Sequence, residues 1–217
     1  MRLYLLRHGE VSSHRGDVPI TESAARQAHA VGEWFGEHEE SPIRLLAGET
    51  TRAVDTATQL AHGVKDAGGQ VDGPQVAFAL RNPDLYVNGV RVNMVSSAET
   101  LAAQVDGLTA DDVASLDFFP DFFASPDRIG WWLIHENPPG ETAAQVATRM
   151  RQFTASLSDA TEVYADVVVA VTHSPLLRAV GLDHLGRDIG EPPWITGLLL
   201  TVDGPSTEVD FFDAGVA

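Results

Sequence analysis

The chain has 217 residues, 44% of them hydrophobic and 21% charged. This composition indicates one large folded domain, or a core with an inserted segment, and excludes a disordered chain. The 31 acidic and 14 basic residues give a formal net charge of −17, which opposes attraction to nucleic acid and to anionic membranes. The absence of cysteine excludes disulfides, thiolate nucleophiles and cysteine-ligated metal sites.

The sequence contains no apolar run near the roughly 18 residues that a membrane-spanning helix requires. Residues 1–6 are too few for the apolar region of a secretory signal and lead directly into Arg7, His8 and Gly9. We therefore expect a cytoplasmic protein that partners neither nucleic acid nor a membrane.

The first part of the chain alternates predicted strands and helices. Residues 2–6 predict a buried strand, and Thr21 predicts the N-cap of a helix. Residues 43–47 predict a second strand, 51–64 a second helix and 76–80 a third strand. The apolar residues expected to face the core from the two helices are Ala24, Ala28, Val31, Phe35, Ala53, Ala57 and Leu60.

The last part of the chain continues the alternation. Residues 140–157 predict a helix, and the β-branched run 167–171 predicts a strand followed by a helix with Pro175 in its first turn. Residues 198–202 and 209–212 predict a closing hairpin at a sheet edge. The residues expected to be buried on the 140–157 helix are Ala144, Ala147, Met150 and Phe153.

This alternation predicts an α/β fold, a three-layer α/β/α sandwich with a mostly parallel sheet. Residues 85–139 interrupt the alternation with two predicted helices, at 97–104 and 109–116, followed by a run of aromatic residues. We interpret this segment, called the cap below, as a helical insertion into a single domain of residues 1–217. Ligands of such sheets bind beyond the carboxyl ends of the strands.

Four side chains suited to phosphate chemistry lie at that edge. Arg7 and His8 follow the first strand, His173 follows the strand 167–171, and Arg52 opens a helix. A neutral imidazole attacks phosphorus, arginine forks bind phosphoryl oxygens, and a second imidazole donates a further hydrogen bond. The four residues predict a phosphate pocket, in which we include Ser174 as a ligand.

Each of these residues alone has an ordinary structural explanation. Arg52 is typical of a helix-start arginine paired with Glu49 or Asp55, and His173 of a histidine that bonds to backbone. Only their convergence at one sheet edge indicates a site. The other histidines show no metal-ligand spacing, so we expect neither a metal nor a cofactor, and only the loop of His14 is expected to border the pocket. These histidines are His14, His29, His38, His62, His135 and His184.

Five segments resemble the histidine phosphatase superfamily, which includes the cofactor-dependent phosphoglycerate mutases. The segment 5–10 (LLRHGE) is similar to the family signature. The segments 20–28, 52–57, 140–142 and 171–174 resemble further family motifs in the same order, and the cap matches poorly.

The resemblance implies roles for the pocket residues. His8 is the residue expected to be phosphorylated, while Arg7, Arg52 and His173 hold the phosphoryl group. It also implies a carboxylic acid just after the third strand, in a pattern like L-x-E, that protonates the leaving group.

The acid is the part of the pattern from which this chain departs. Asn82 occupies the expected position, and Asp84, two residues further on, is our candidate for the acid. Asp84 after Pro83 is equally typical of a turn residue. The alternatives for the acid are Glu99, Glu136 and Glu141.

Two further departures bear on the activity. Glu49 places a carboxylate near the pocket, close before Arg52, where the family often has S-S-P. The cap carries two basic residues, Arg91 and Arg128, whereas mutases of the family carry several there. Six aromatic residues cluster at 118–132 of the cap and are interpreted as core or as the interface of a homodimer: Phe118, Phe119, Phe122, Phe123, Trp131 and Trp132.

We therefore expect a metal-independent phosphomonoesterase that acts on a small phosphorylated substrate through a phosphohistidine on His8. Two alternatives stay open. One is a phosphoglycerate mutase-like phosphotransferase, which returns the phosphoryl group to another hydroxyl. The other is a non-catalytic phosphate-binding protein, suggested by the displaced acid and by Glu49.

Overall fold

The computed structural model describes residues 1–13, 16–160 and 165–216, and within these ranges the chain forms eight strands and eight α-helices. The strands are β1 (Arg2–Arg7), β2 (Ile43–Ala47), β3 (Val71–Val76), β4 (Leu85–Val87), β5 (Val90–Val92), β6 (Val167–Thr172), β7 (Gly197–Asp203) and β8 (Ser206–Phe212). The helices are α1 (Glu22–His38), α2 (Thr51–Asp66), α3 (Ala98–Ala102), α4 (Ala110–Val113), α5 (Phe119–Ala124), α6 (Arg128–Leu133), α7 (Ala143–Ser158) and α8 (Ser174–Leu185).

A six-stranded sheet in the order β3-β2-β6-β1-β7-β8 forms the centre of the fold. Strands β1, β2, β3 and β6 are parallel, β7 is antiparallel to β1, and β8 closes the sheet as a hairpin with β7. Strand β1 is buried on both faces, with Leu3 and Leu5 in one apolar layer and Tyr4 and Leu6 in the other. The predicted α/β class with a mostly parallel sheet is confirmed.

Helices α1 and α2 cover one face of the sheet and pack closely on each other. Thr21 caps α1 by accepting a hydrogen bond from the amide of Ala24, as predicted. A Cβ at Gly32 of α1 would lie 2.2 Å from the carbonyl oxygen of Leu60 in α2, so only glycine permits this approach. The close contact holds α2, the helix that carries Arg52, against α1.

The predicted third strand is wrong in position. Strand β3 spans Val71–Val76, and residues Phe78–Leu80 form a short 3-10 helix instead. β3 pairs only with β2 and is half exposed, so Gly73 and Pro74 are tolerated and no apolar run marks the strand. The apolar residues that follow β3 belong to the 3-10 helix, in which Leu80 is fully buried while Phe78 is largely exposed.

The buried face of helix α7 agrees only in part with the predicted one. Ala147 and Met150 are buried as expected, but Ala144 is exposed and Ala143 takes its place. Thr142, which accepts from Gln145 in a capping box, starts the helix there and sets its phase.

The cap contains the β4-β5 hairpin and the four short helices α3 to α6. The first two helices are shorter than predicted, with bounds of Ala98–Ala102 and Ala110–Val113. The aromatic residues of the cap fill its interior. Phe118, Phe119, Phe122 and Trp132 are buried, and Phe123 and Trp131 are partly buried against the same core.

Trp132 links the cap to the start of α7, since its indole N–H donates to the carbonyl oxygen of Glu141 at 3.0 Å.

The homodimer stays a prediction. None of the helices in the described ranges is long and apolar enough to cross a membrane.

Candidate active site

Neighbouring strands bring the four predicted pocket residues to one edge of the sheet. Arg7 ends β1 and His8 follows it, while His173 follows β6, which pairs with both β1 and β2. The His8 amide donates to the carbonyl oxygen of Thr172 at 3.0 Å, and the His8 and His173 ring centroids lie 5.3 Å apart. Arg52 joins them from the second position of α2. All four line a cavity of about 430 Å³.

His8 is held with one ring nitrogen directed away from the backbone. Its Nδ1 lies 2.8 Å from the carbonyl oxygen of Gly9 and donates to it, because a carbonyl only accepts. Nε2 therefore carries the lone pair, and it accepts from Nε of Arg52 at 3.2 Å. Gly9 is fixed by Thr56, whose hydroxyl accepts from its amide at 2.9 Å. With its lone pair free of a proton, Nε2 has the chemistry that a nucleophile requires.

Arg7 is buried and held on three sides. Its Nη1 donates to the carbonyl oxygen of Pro192 at 2.6 Å, its Nη2 lies 2.7 Å from Glu191, and its guanidinium stacks 3.3 Å over the ring of Trp194. Burial lowers the pKa of Arg7 to about 10, and the negative charge of Glu191 opposes that shift. Arg7 is therefore still a cation at neutral pH. Its buried Nε has no hydrogen-bond partner among the described residues.

His173 is 2% exposed, and neither of its ring nitrogens has a hydrogen-bond partner in the described part of the chain. Burial lowers the pKa of His173 well below its ordinary value, and the positive charges of Arg52 and Arg7 lower it further. The ring is therefore neutral at pH 7. Buried polar groups normally have partners, and a phosphoryl oxygen would satisfy this one.

We expect the free energy of unfolding, measured without ligand, to decrease as the pH is lowered from 7.5 to 5.5, and we expect His173 to be the cause. Below about pH 6.5 the unfolded chain protonates this histidine while the folded chain does not, so acid favours unfolding by about 1 kcal/mol over this window. Urea unfolding at three pH values measures the loss, which H173Q should remove.

The exposed histidine of α2 supplies the control for this experiment. H62Q should keep the pH dependence of the wild type because His62 is solvated in both states. If H173Q and wild type lost the same stability on acidification, His173 would not be held neutral in the fold.

Ser174, the remaining predicted phosphate ligand, also lines the cavity as the first residue of α8. Its hydroxyl donates to Oε2 of Glu191. The N-terminal end of α8 adds a partial positive charge at the same place, because the first amides of a helix have no intrahelical acceptor.

The structure does not bring Asp84 into the cavity. Asn82 lines it instead, while Asp84 is buried against Arg81, at 2.6 Å, and Arg91. Burial raises the pKa of Asp84, but the hydrogen bonds from Arg81 and Arg91 outweigh it and hold the pKa below its ordinary value. An ionised carboxylate outside the cavity is poorly placed to protonate a leaving group.

The alternative carboxylates are also engaged or distant from His8. Glu141 lies 3.4 Å from Arg149, and Glu49 lies 2.9 Å from Arg91 rather than beside Arg52. Glu136 is exposed and does not line the cavity. Glu99 lines a second cavity of about 580 Å³, which shares Arg52, Met94 and Val95 with the first.

Arg52 has a partner that sequence reasoning did not name. Its Nη1 lies 3.7 Å from Asp17, a residue that also accepts from the amide of Thr51 at 2.9 Å. Asp17 thus caps α2 and faces Arg52. The predicted pairing with Glu49 or Asp55 is not found. His14, expected to border the pocket, lies outside the described residues.

Three charged residues of the cavity were missed: Asp127, Arg178 and Glu191. Arg178 in α8 is 1% exposed and is held by Asp127 of the cap, at 2.6 Å, and by Asp188. Glu191 precedes β7, contacts Arg7 and Ser174, and lies 3.8 Å from Arg178. The antiparallel direction of β7 could have indicated Glu191. The loop that enters an antiparallel strand lies at the edge of the sheet where the parallel strands end.

No group of three or more histidine, aspartate or glutamate residues arranged to hold a metal ion occurs in the described ranges. The chemistry of the cavity is instead that of an anion site with a nucleophile. Two arginines and a neutral histidine line the cavity together with His8, whose Nε2 accepts from Arg52.

Comparisons with known proteins find similarity in sequence and in fold. Residues 3–71 match the family model of the histidine phosphatase superfamily, branch 1. Over 198 residues the chain is 26% identical to a 6-phosphofructo-2-kinase/fructose-2,6-bisphosphatase of Caenorhabditis elegans, a match that covers 89% of this chain and 36% of that protein. The chain thus spans about a third of the length of this curated relative.

Solved structures share the fold at low sequence identity. A mycobacterial glucosyl-3-phosphoglycerate phosphatase in complex with inorganic phosphate is 22% identical, with a TM-score of 0.63 and coverage of 100% of this chain and 99% of that one. A phosphoglycerate mutase from Bacillus anthracis is 13% identical, with a TM-score of 0.59 and coverage of 98% and 92%. The chain is thus similar to the histidine phosphatase superfamily over residues 3–71, and it shares the fold of these solved structures over nearly its whole length.

Proposed function

We propose that this protein is a metal-independent phosphomonoesterase that forms a phosphohistidine on Nε2 of His8. The observation that carries the proposal is the arrangement around that atom. Nε2 is unprotonated, and the cavity that it shares contains two cations, Arg7 and Arg52, and the ring of His173, whose nitrogens have no hydrogen-bond partner among the described residues.

The reaction has two steps. Nε2 of His8 attacks phosphorus while the bond between phosphorus and the alcohol oxygen breaks, and the alcohol leaves with a proton from an acid. Water then attacks the phosphohistidine, the bond between nitrogen and phosphorus breaks, and phosphate is released. The Nδ1–H of His8 donates to Gly9 throughout and stabilises the positive charge that develops on the ring.

The arginines supply the electrostatic part of both steps. Arg7 and Arg52 neutralise phosphoryl oxygens, since guanidinium forks match their geometry. Arg52 must move its Nε from the lone pair of His8 to a phosphoryl oxygen before attack. His173, which is neutral at pH 7, donates one ring N–H to a further oxygen.

The cap favours hydrolysis over phosphoryl transfer between substrate hydroxyls. Of its two arginines, Arg91 is paired with Asp84 and Glu49, and Arg128 lines the cavity. A mutase substrate that carries a second phosphate or a carboxylate needs more cations than this. The partner we propose is a small molecule with one phosphomonoester.

The non-catalytic alternative rests on Asn82, which lines the cavity where the family resemblance implies an acid. A protein of this kind would bind phosphate or vanadate and gain thermal stability, but it would not turn over any ester.

The test measures phosphate release from a panel of monophosphates in the presence of EDTA, followed by quenched peptide mapping. We expect release that survives EDTA and an acid-labile, alkali-stable phosphoryl group on the peptide that contains His8. An isomerised ester without free phosphate would establish the mutase. Stabilisation by phosphate with neither release nor labelling would establish the binding protein.

A further inference from the structure

The cavity contains a carboxylate that the proposed reaction has not used. Glu191 lies in the loop between α8 and β7, with Oε1 at 2.7 Å from Nη2 of Arg7 and Oε2 accepting from the hydroxyl of Ser174. Arg178 lies 3.8 Å away. The side chain is about half exposed, so it has room to change its position.

Glu191 is one of two carboxylates that line this cavity in the described ranges, and the other is Asp127. Asp127 accepts two hydrogen bonds from Arg178, which lower the pKa of Asp127 to about 2. It therefore stays ionised at any working pH. Asp84 is outside the cavity, and Asn82 carries an amide that cannot supply an ionisable proton.

The contacts of Glu191 couple it to the substrate. The Glu191 carboxylate forms an ion pair with Arg7 and accepts a hydrogen bond from Ser174, and these are two of the groups proposed to hold the phosphoryl oxygens. An arriving phosphoryl group competes for Arg7 and brings a second anion beside Glu191. Two adjacent anions favour retention of a proton between them, as paired carboxylates do. When the phosphoryl group binds to Arg7, the Glu191 carboxyl group therefore lies beside it.

We infer that Glu191 is the general acid and base of this site, in place of the carboxylate expected at position 82. The inference rests on the proposed phosphohistidine mechanism. In the first step the Glu191 carboxyl proton passes to the leaving oxygen as the ester bond breaks and Nε2 of His8 bonds to phosphorus. In the second step, water gives a proton to the Glu191 carboxylate and the water oxygen bonds to phosphorus. The electrons of the N–P bond return to Nε2.

The test uses E191Q and two esters that differ in their need for an acid. The p-nitrophenolate of p-nitrophenyl phosphate leaves without protonation, whereas the alkoxide of an alkyl monophosphate does not. We expect kcat/KM to fall at least about 100-fold for the alkyl ester and less than about 10-fold for the aryl ester, the usual range for loss of an acid catalyst. With the aryl ester, phosphorylated His8 should accumulate because the base for its hydrolysis is missing.

Matched variants make the outcomes distinct. E208Q changes an exposed glutamate on β8 and should behave as wild type with both esters. Equal effects of E191Q on the two esters, or a lower KM at unchanged kcat, would overturn the inference and leave Glu191 as a competing anion. Selective loss with the alkyl ester in D84N, but not in E191Q, would assign the acid to Asp84. A wild type that releases no phosphate and never labels His8 would refute the mechanism itself.

Discussion

H8A is expected to lower kcat/KM at least about 1,000-fold for every phosphomonoester the protein hydrolyses, a loss of about 4 kcal/mol in transition-state stabilisation. The alanine side chain removes the atom that bonds to phosphorus, and no other described residue presents an unprotonated nitrogen held between a backbone carbonyl and an arginine. Initial rates of phosphate release over a range of substrate concentrations measure the effect.

The control for this prediction is H62A, which removes an exposed histidine from α2 and should keep full activity. Because His8 is buried, H8N serves as a second variant that preserves more of its volume. Both His8 variants should still bind vanadate, since Arg7 and Arg52 are intact. Activity of H8A or H8N within about 10-fold of wild type would contradict a phosphohistidine on this residue.

The parts of the fold that could be predicted are those with a strong local signal. Strand β6 is a continuous apolar run buried on both faces, and Pro175 marks the first turn of α8. Thr21 and Thr142 mark the starts of α1 and α7 through side-chain caps. In these segments local preference and tertiary packing favour the same structure.

Strand β3 shows why other parts could not be predicted. As an edge strand it has one neighbour and a half-exposed surface, so Gly73 and Pro74 occur in it without an apolar alternation. The apolar side chain that suggested a strand, Leu80, is buried for another reason: it lies beneath the cap, and its carbonyl oxygen accepts from the hydroxyl of Thr172. Tertiary context, and not sequence periodicity, determines this segment.

The residues of the site also fall into those that the sequence could predict and those that it could not. Arg7, His8 and His173 follow strands whose order makes them neighbours, so their convergence follows from the parallel topology alone. Glu191 depends on a loop whose position is set by the direction of β7. Asp84 is near Asn82 in sequence, but its side chain turns to Arg81 and Arg91, an orientation that only the cap hairpin supplies.

R52M is expected to lower kcat/KM about 100- to 1,000-fold, the cost of removing one preorganised donor to a developing anion. Arg52 is largely buried, and burial lowers its pKa without depriving it of its charge at neutral pH. Its loss removes both a cation for the phosphoryl group and the Nε that orients His8 at 3.2 Å. Kinetics with p-nitrophenyl phosphate measure the loss, and inhibition by vanadate should weaken in the same variant.

R52K separates charge from geometry in this role. Lysine keeps the positive charge but has neither the planar fork nor an Nε–H at the position that meets His8, so its activity should fall between those of wild type and R52M. R26M, which removes an exposed arginine from α1, changes the net charge of the protein equally and should leave kcat/KM unchanged. If R52M retained wild-type vanadate affinity and activity, Arg7 and His173 alone would suffice to hold the phosphoryl group, and the contact between Arg52 and His8 would be structural.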